Sequence, residues 1–507
     1  MPVDRVVVIG LDCAEPSLVF ERFAGHLPNL AALRARGSFG HLTSCLPPIT
    51  VPAWSCMASS KDPGQLGIYG FRNRKDYSYD GLSIAMSTAV KEPRIWEILS
   101  DAGLASIVVG VPGTFPIVRP FKGQMVSCFL TPNPQDAYGS DEPTKQFTHP
   151  AALKNTIRDL VGEYMVDVKG FRTDDKAWLL EQIYMMTNRR HKVVMHLAAT
   201  NVAQPPSAVA GGILKPHASD LKTDWKLLWS VEMGTDRIHH GFWQFFDEKH
   251  HRYEKGNPFE SALLRYYIHL DKHIGEMVAT LDPARTAFLV VSDHGAKRMD
   301  GGLCFNDWLI REGYMVMKDD AGAGASARAA AAPTKFEFKN VDWTKTKAWG
   351  EGGYYGRCFI NVQGREPNGI VPQADYEKLR DELIGKLEAL PDDKGRPMGT
   401  RVYKPEAIYK KVNGVAPDLI VIFGDLHWRS VGTVGNPSLY TFSNDTGPDD
   451  ANHAQQGMYI MALPEGLSGA PAPRGRVDGP TLYDISPTIL KLLGQKVPSD
   501  MIGRAMV

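Results

Sequence analysis

Residues 287–295, AFLVVSDHG, constrain this chain more than any other stretch. Five apolar residues closed by Ser-Asp-His-Gly predict a central strand of a parallel sheet, because such a strand is covered on both faces and ends in turn-forming residues. Open α/β sheets collect ligands at the carboxyl ends of their strands, and this strand brings Asp293 and His294 there, with Gly295 letting the backbone turn. A carboxylate beside an imidazole can bind a divalent cation such as zinc or manganese. The same two residues can also form a buried pair that caps a helix, and a motif this short leaves both readings open.

The chain's 507 residues suffice for two or three structural units or for one α/β core with insertions. Lys plus Arg and Asp plus Glu are 57 each, so no net charge points to a nucleic-acid polymer or a membrane surface, and an anionic substrate must be held locally. Six cysteines without a Cys-x-x-Cys pair argue against a thiolate zinc site or a disulfide framework and for a cytoplasmic setting. The apolar run in MPVDRVVVIGLD is too short for a signal peptide, and no later stretch is long enough to span a bilayer.

A second strand ending in an acid opens the chain. Residues 5–11 are rich in β-branched side chains and run into Asp12, either a metal ligand or the N-cap of the next helix. A helix is expected over 28–35, stopped by Gly37, and a short strand near 40–44. In SCLPPITVPAWSCMASSKDPGQLGIYGFRNR, Thr-x-Pro opens a helix over 51–59 with Thr50 at its start. The helix end would favour an alkoxide nucleophile there, and an ordinary N-cap is the competing reading. Residues 227–233 predict a strand running into GTDRIHHGFW. If helix begins near Asp236, then Asp236 and His240 share a face and can grip one ion, while His239 points about a third of a turn away. His453 falls in a polar loop before the apolar strand MYIMAL, where a histidine by itself is usually solvated.

Taken in order, Asp12, Thr50, Asp236, His240, Asp293, His294 and His453, together with TVPAWSCMASSKDPGQLGIYG, resemble the alkaline phosphatase superfamily, in particular its nucleotide pyrophosphatase or type I phosphodiesterase branch. The resemblance implies an α/β fold, a three-layer core with a mostly parallel central sheet plus a helical insertion and a smaller α+β module. It also implies that Asp12, Thr50, Asp293 and His294 hold one metal ion, that Asp236, His240 and His453 hold a second, and that Thr50 is the nucleophile. Mixed oxygen and nitrogen ligands suit two zinc ions and allow manganese or iron. Two such ions clamp an in-line displacement, which implies a phosphohydrolase that cleaves phosphodiester or nucleotide pyrophosphate bonds of a small phosphate ester through a phosphothreonine. A phosphomonoesterase or phosphomutase is the alternative within the superfamily; a headgroup transferase and a non-catalytic binding protein are the others. Threonine rather than serine points toward diesterases. Where the family carries a phosphoryl-binding asparagine this sequence has Phe71, with Asn73 two residues on as a substitute. Cys45-Leu-Pro-Pro lacks the arginine of a sulfatase signature.

The expected organisation is a core in three parts, 1–147, 226–318 and 412–507. These are interrupted by a helix-rich insertion or lid over 148–225, a low-complexity linker over 319–334 and a small α+β module over 335–411. The core is expected to resume at the strand PDLIVIFGD. Arg189 and Arg190 on the insertion face either phosphate or solvent, Lys297 and Arg298 contact substrate phosphate or form a basic turn, 203–219 is a loop, and Asp478 and Asp484 are caps.

Overall fold

The computed structural model describes residues 2–119, 121–140, 142–200, 224–318, 332–464 and 474–507. The loop expected over 203–219 and most of the linker expected over 319–334 lie outside the described residues. Among the described residues nine strands make the main sheet: β1 (Arg5–Leu11), β2 (Gly37–Thr43), β3 (Ala105–Val109), β4 (Gly123–Val126), β5 (Thr148–His149), β6 (Trp225–Glu232), β7 (Thr286–Val291), β8 (Gln456–Ala462) and β9 (Gly475–Arg476), in the spatial order β9-β2-β8-β7-β1-β6-β3-β4-β5. β1 pairs in parallel with both β6 and β7, placing Leu11 beside Glu232 and Gly10 beside Val291. Every residue of β7 and every residue of β1 after Arg5 is buried, as a strand covered on both faces requires. β8 runs antiparallel to β7, so the chain enters β8 at the edge where β1, β6 and β7 end. The residues just before β8 therefore meet those just after the other three.

Six helices matter for the site and its surroundings: α1 (Pro28–Ala35), α2 (Thr50–Ser59), α3 (Lys176–Thr200), α4 (Gly234–Phe246), α5 (Ala262–Thr280) and α6 (Ile485–Leu492). α4 packs between α3 and α5, and α6 packs on α2. Among the described residues no helix is long and apolar enough to cross a membrane.

Three local expectations are corrected. α2 begins at Thr50 itself, with Ile49 as its cap and no side-chain capping bond, because Pro52 in the first turn is compatible with a helix already under way. His453 sits in a short buried strand, Ala451–Ala454, paired antiparallel with Gly295–Arg298, and not in a loop. Leu419–Ile422, read as the return to the core, instead joins a second sheet in the order Ala348–Glu351, Gly356–Ile360, Leu419–Ile422, Arg401–Tyr403. Its apolar cluster is separate from that of the main sheet and is covered by the helix Tyr376–Glu388. An apolar run announces a buried strand but does not say which sheet buries it.

Candidate metal centre and nucleophile

Four strands of the main sheet bring side chains to one edge. β1 ends at Asp12, β7 is followed by Asp293 and His294, β6 turns into α4 and presents Asp236 and His240, and the residues before β8 present His453. All six are buried. One donor atom each from Asp12, Asp293 and His294 falls within 4.8 Å of the others, and the same holds for Cys13, Asp236, His240 and His453. The two groups adjoin: the rings of His294 and His453 stack with centroids 3.8 Å apart, and His240 Nε2 lies 3.3 Å from His453 Nε2. Thr50 Oγ1 is 3.4 Å from His294 Nε2. The Thr50 hydroxyl thus faces the cluster, whereas the His239 side chain reaches Tyr267 Oη at 3.1 Å and belongs to neither group.

The electrostatics of the cluster are those of crowded, buried anions. Burial, then the neighbouring Asp293 and Asp236 carboxylates, push the Asp12 carboxyl well above its usual range, the response of an anion crowded by anions away from water. Asp12 Oδ2 accepts a hydrogen bond from Trp54 Nε1 at 2.7 Å, but Asp12 Oδ1 and Asp293 Oδ2 are buried and accept none, although His294 Nε2 stands 3.1 Å from the latter. Buried carboxylate oxygens without donors are the exception in folded proteins.

The imidazoles are oriented toward the same point. His453 Nδ1 lies 2.9 Å from the Pro48 carbonyl, and His294 Nδ1 lies 3.1 Å from the Gly295 carbonyl. A carbonyl only accepts, so Nδ1 donates and Nε2 carries the lone pair. His240 Nδ1 lies 2.7 Å from Asp449 Oδ1, leaving its Nε2 3.2 Å from Asp236 Oδ1. Burial alone would lower the His240 pKa, but Asp449 and Asp236 outweigh it and raise it to about 9. For His453 burial prevails, reinforced by His294 and His240, and the ring is held well below the usual histidine range. All three rings thus aim Nε2 at the cluster and anchor Nδ1 outside it, the outer-partner pattern typical of metal-binding histidine.

Several participants are not evident from residue type. Asp449 is itself held by Arg172, 3.1 Å away, and by Tyr354 Oη, 3.0 Å away. Cys13 adopts a left-handed backbone, φ 65°, and its amide donates to Asp293 Oδ1 at 3.1 Å. Burial, with Asp236, Asp12 and Asp293 following, pushes its thiol pKa well up. The only signals in the sequence are adjacency: Cys13 follows Asp12, and Asp449 stands just before the short strand that holds His453.

The residues expected to contact substrate have these partners within the protein. Asn73 accepts from the Tyr69 amide and donates to the Gly70 carbonyl, and Phe71 packs edge-on against Phe129. Lys297 pairs with Asp425, and Arg298 with Asp300 and Asp247. Arg190 is buried away from solvent and donates to the carbonyls of Val231 and Val166. Asp484 does cap, in a reciprocal box with Thr481, and Asp478 pairs with Arg476.

No curated protein matches this sequence. Solved structures do: a murine ectonucleotide pyrophosphatase / phosphodiesterase 5, inactive and in complex with AMP, is 12% identical over 97% of this chain and 96% of that chain, with a TM-score of 0.51. Phosphonoacetate hydrolase from Sinorhizobium meliloti 1021, in complex with phosphonoformate, is 14% identical over 97% of this chain and 96% of that chain, with a TM-score of 0.53. At such identities the likeness establishes the fold. The model of the family "Type I phosphodiesterase / nucleotide pyrophosphatase" matches residues 6–449, a span that includes Asp12, Thr50, Asp236, His240, Asp293, His294 and Asp449 and stops just short of His453. The chain belongs to the type I phosphodiesterase / nucleotide pyrophosphatase family, phosphoester hydrolases of the alkaline phosphatase superfamily.

Proposed function

We propose that the protein hydrolyses phosphodiester or nucleotide pyrophosphate bonds, with Thr50 as the nucleophile and two divalent cations held by its buried donors. Asp12, Asp293 and His294, beside Thr50, would hold one ion, and Asp236, His240 and His453 the other. When bound, such ions, zinc first by the donor set and manganese or iron as alternatives, supply a lowered hydroxyl pKa at Thr50 and neutralising charge for the transferring phosphoryl group.

The chain's own residues account for the rest. Thr50 is the first residue of α2, where the positive end of the helix and its free amides favour an alkoxide and then the charge of a phosphorylated side chain. Its oxygen attacks phosphorus, the bond to the leaving-group oxygen breaks, and that oxygen departs with the electron pair and takes a proton. Water then attacks the phosphothreonine, Thr50 leaves as the hydroxyl, and a phosphomonoester is released. Burial of the whole centre keeps these charges in a low dielectric, where placed dipoles act most strongly.

The observation that carries this reading is the pairing of two donor sets through the stacked His294 and His453 rings beside a helix-start hydroxyl that faces His294. Hydrolysis of bis(p-nitrophenyl) phosphate beside p-nitrophenyl phosphate, with chelator or with added zinc or manganese, tests it. The diester is expected to be cleaved faster, with turnover lost on chelation and in Thr50→Ala. Preference for the monoester would move the assignment to a phosphatase or mutase, and full activity in Thr50→Ala would remove Thr50 from the mechanism.

A further inference from the structure

The outer seam between α3 and α5 gathers imidazoles and a carboxylate that play no part in the centre above. His191 lies on α3, and His269, His273 and Glu276 follow one another on α5 at spacings of four and three, which puts them on one face. The rings of His191 and His273 stack with centroids 3.9 Å and planes 1° apart. His269 meets the His273 ring edge-on at 4.3 Å, and His191 Nε2 lies 2.8 Å from Glu276 Oε2. One donor atom each from His191, His273 and Glu276 falls within 4.8 Å of the others. His269 is otherwise engaged, 2.8 Å from Asn188 Oδ1, and Lys272 stands 3.9 Å from Glu276 Oε1.

Two observations set this seam apart from an ordinary helix surface. Nδ1 of His273 is buried and has no hydrogen-bond partner, where a buried polar nitrogen is normally satisfied. Burial lowers the pKa of both rings, and His191 and His269 lower that of His273 further, to about 3. An imidazole and a carboxylate three residues apart on one helix, completed by a residue from the facing helix, is a donor arrangement helix bundles use for metal ions.

We infer that His191, His273 and Glu276 form a third metal site, which takes one divalent transition ion of the zinc, nickel or cobalt class and ties α3 to α5. Two imidazoles and one carboxylate select this class over magnesium or calcium. Binding turns one ring out of the stack so that both lone pairs aim at one point, and it draws Glu276 away from Lys272. The exposed side of Glu276 leaves the remaining coordination positions to water.

Equilibrium dialysis of the full-length protein against zinc, with bound metal counted by mass spectrometry, tests this by difference. His191→Ala and His273→Ala are each expected to bind one ion fewer than the wild type at a matched zinc concentration. The affinity of that ion should fall by more than about tenfold, the least seen when even an outer partner of a metal-binding imidazole is removed, and ester hydrolysis should be retained. His191→Gln, which keeps a polar side chain of similar reach in the seam, is expected to lose the same ion and covers the case in which an alanine variant folds poorly. Equal metal counts in the wild type and all three variants would overturn the site, as would an additional ion that survives His273→Ala combined with Glu276→Gln.

Discussion

Asp449 shows how much of the centre depends on a residue that touches no reacting atom. It holds His240 through Nδ1 and is fixed in turn by Arg172 and Tyr354, so Nε2 of His240 is aimed by charge as well as by packing. Asp449→Asn preserves shape and removes that charge. We expect it to weaken cation binding at Asp236, His240 and His453 by about 10- to 100-fold, read by competition against a chelating dye, and to leave binding at Asp12, Asp293 and His294 unchanged. Unaltered affinity at both sets would reduce Asp449 to a packing residue. At this scale the sequence was legible where a residue type carries chemistry in its own neighbourhood, as in Asp293-His294 or Asp236 with His240 one turn on. It was not legible for Asp449, whose partners lie on α4 and in segments far away in the chain. Lys297 and Arg298 left two readings open, substrate phosphate or a basic turn, and in the structure they pair with Asp425, Asp300 and Asp247, of which Asp300 alone is a near neighbour in the chain.

Between β1 and α2 the contact is close enough that one glycine sets their spacing. A Cβ added at Gly10 would lie 2.6 Å from the Trp54 ring and 2.8 Å from Val231, and Trp54 is the residue that donates to Asp12. Gly10→Ala should therefore cost about 1–3 kcal/mol, the usual penalty of overpacking a filled core, read by urea denaturation. Because α2 carries Thr50, diester turnover per folded molecule should fall as well; a variant with full stability and full turnover would show that the interface yields freely. The strands that end in the site were legible because each is an apolar run closed by an acid. The strand holding His453 was not, since ANHA has no apolar alternation and becomes a strand only by pairing with Gly295–Arg298. Leu419–Ile422 looked like a core strand and is one, in the other sheet.

Across the whole molecule, four segments far apart in the chain deliver three buried carboxylates and three oriented imidazoles to one edge of the main sheet. Asp12, Asp236 and Asp293 have no burial-independent reason to be together, because like charges in a low dielectric oppose folding. A protein built this way should be more stable with its cations than without them, and the melting temperature should fall on chelation and recover with added zinc. Convergence of this kind is a property of topology, above all of β8 running antiparallel to β7, and the order of residues in the chain discloses it only through resemblance to a family. The most direct measurement of the central claim is the number of ions lost when both donor sets are broken. Metal bound by the wild type is compared with that bound by Asp293→Ala, His453→Ala and the double variant, at matched zinc concentration and with folding verified by circular dichroism. Two separate donor sets predict a wild-type excess of two ions over the double variant, with diester hydrolysis lost in all three variants. An excess of one ion, or of none, would contradict a two-cation centre.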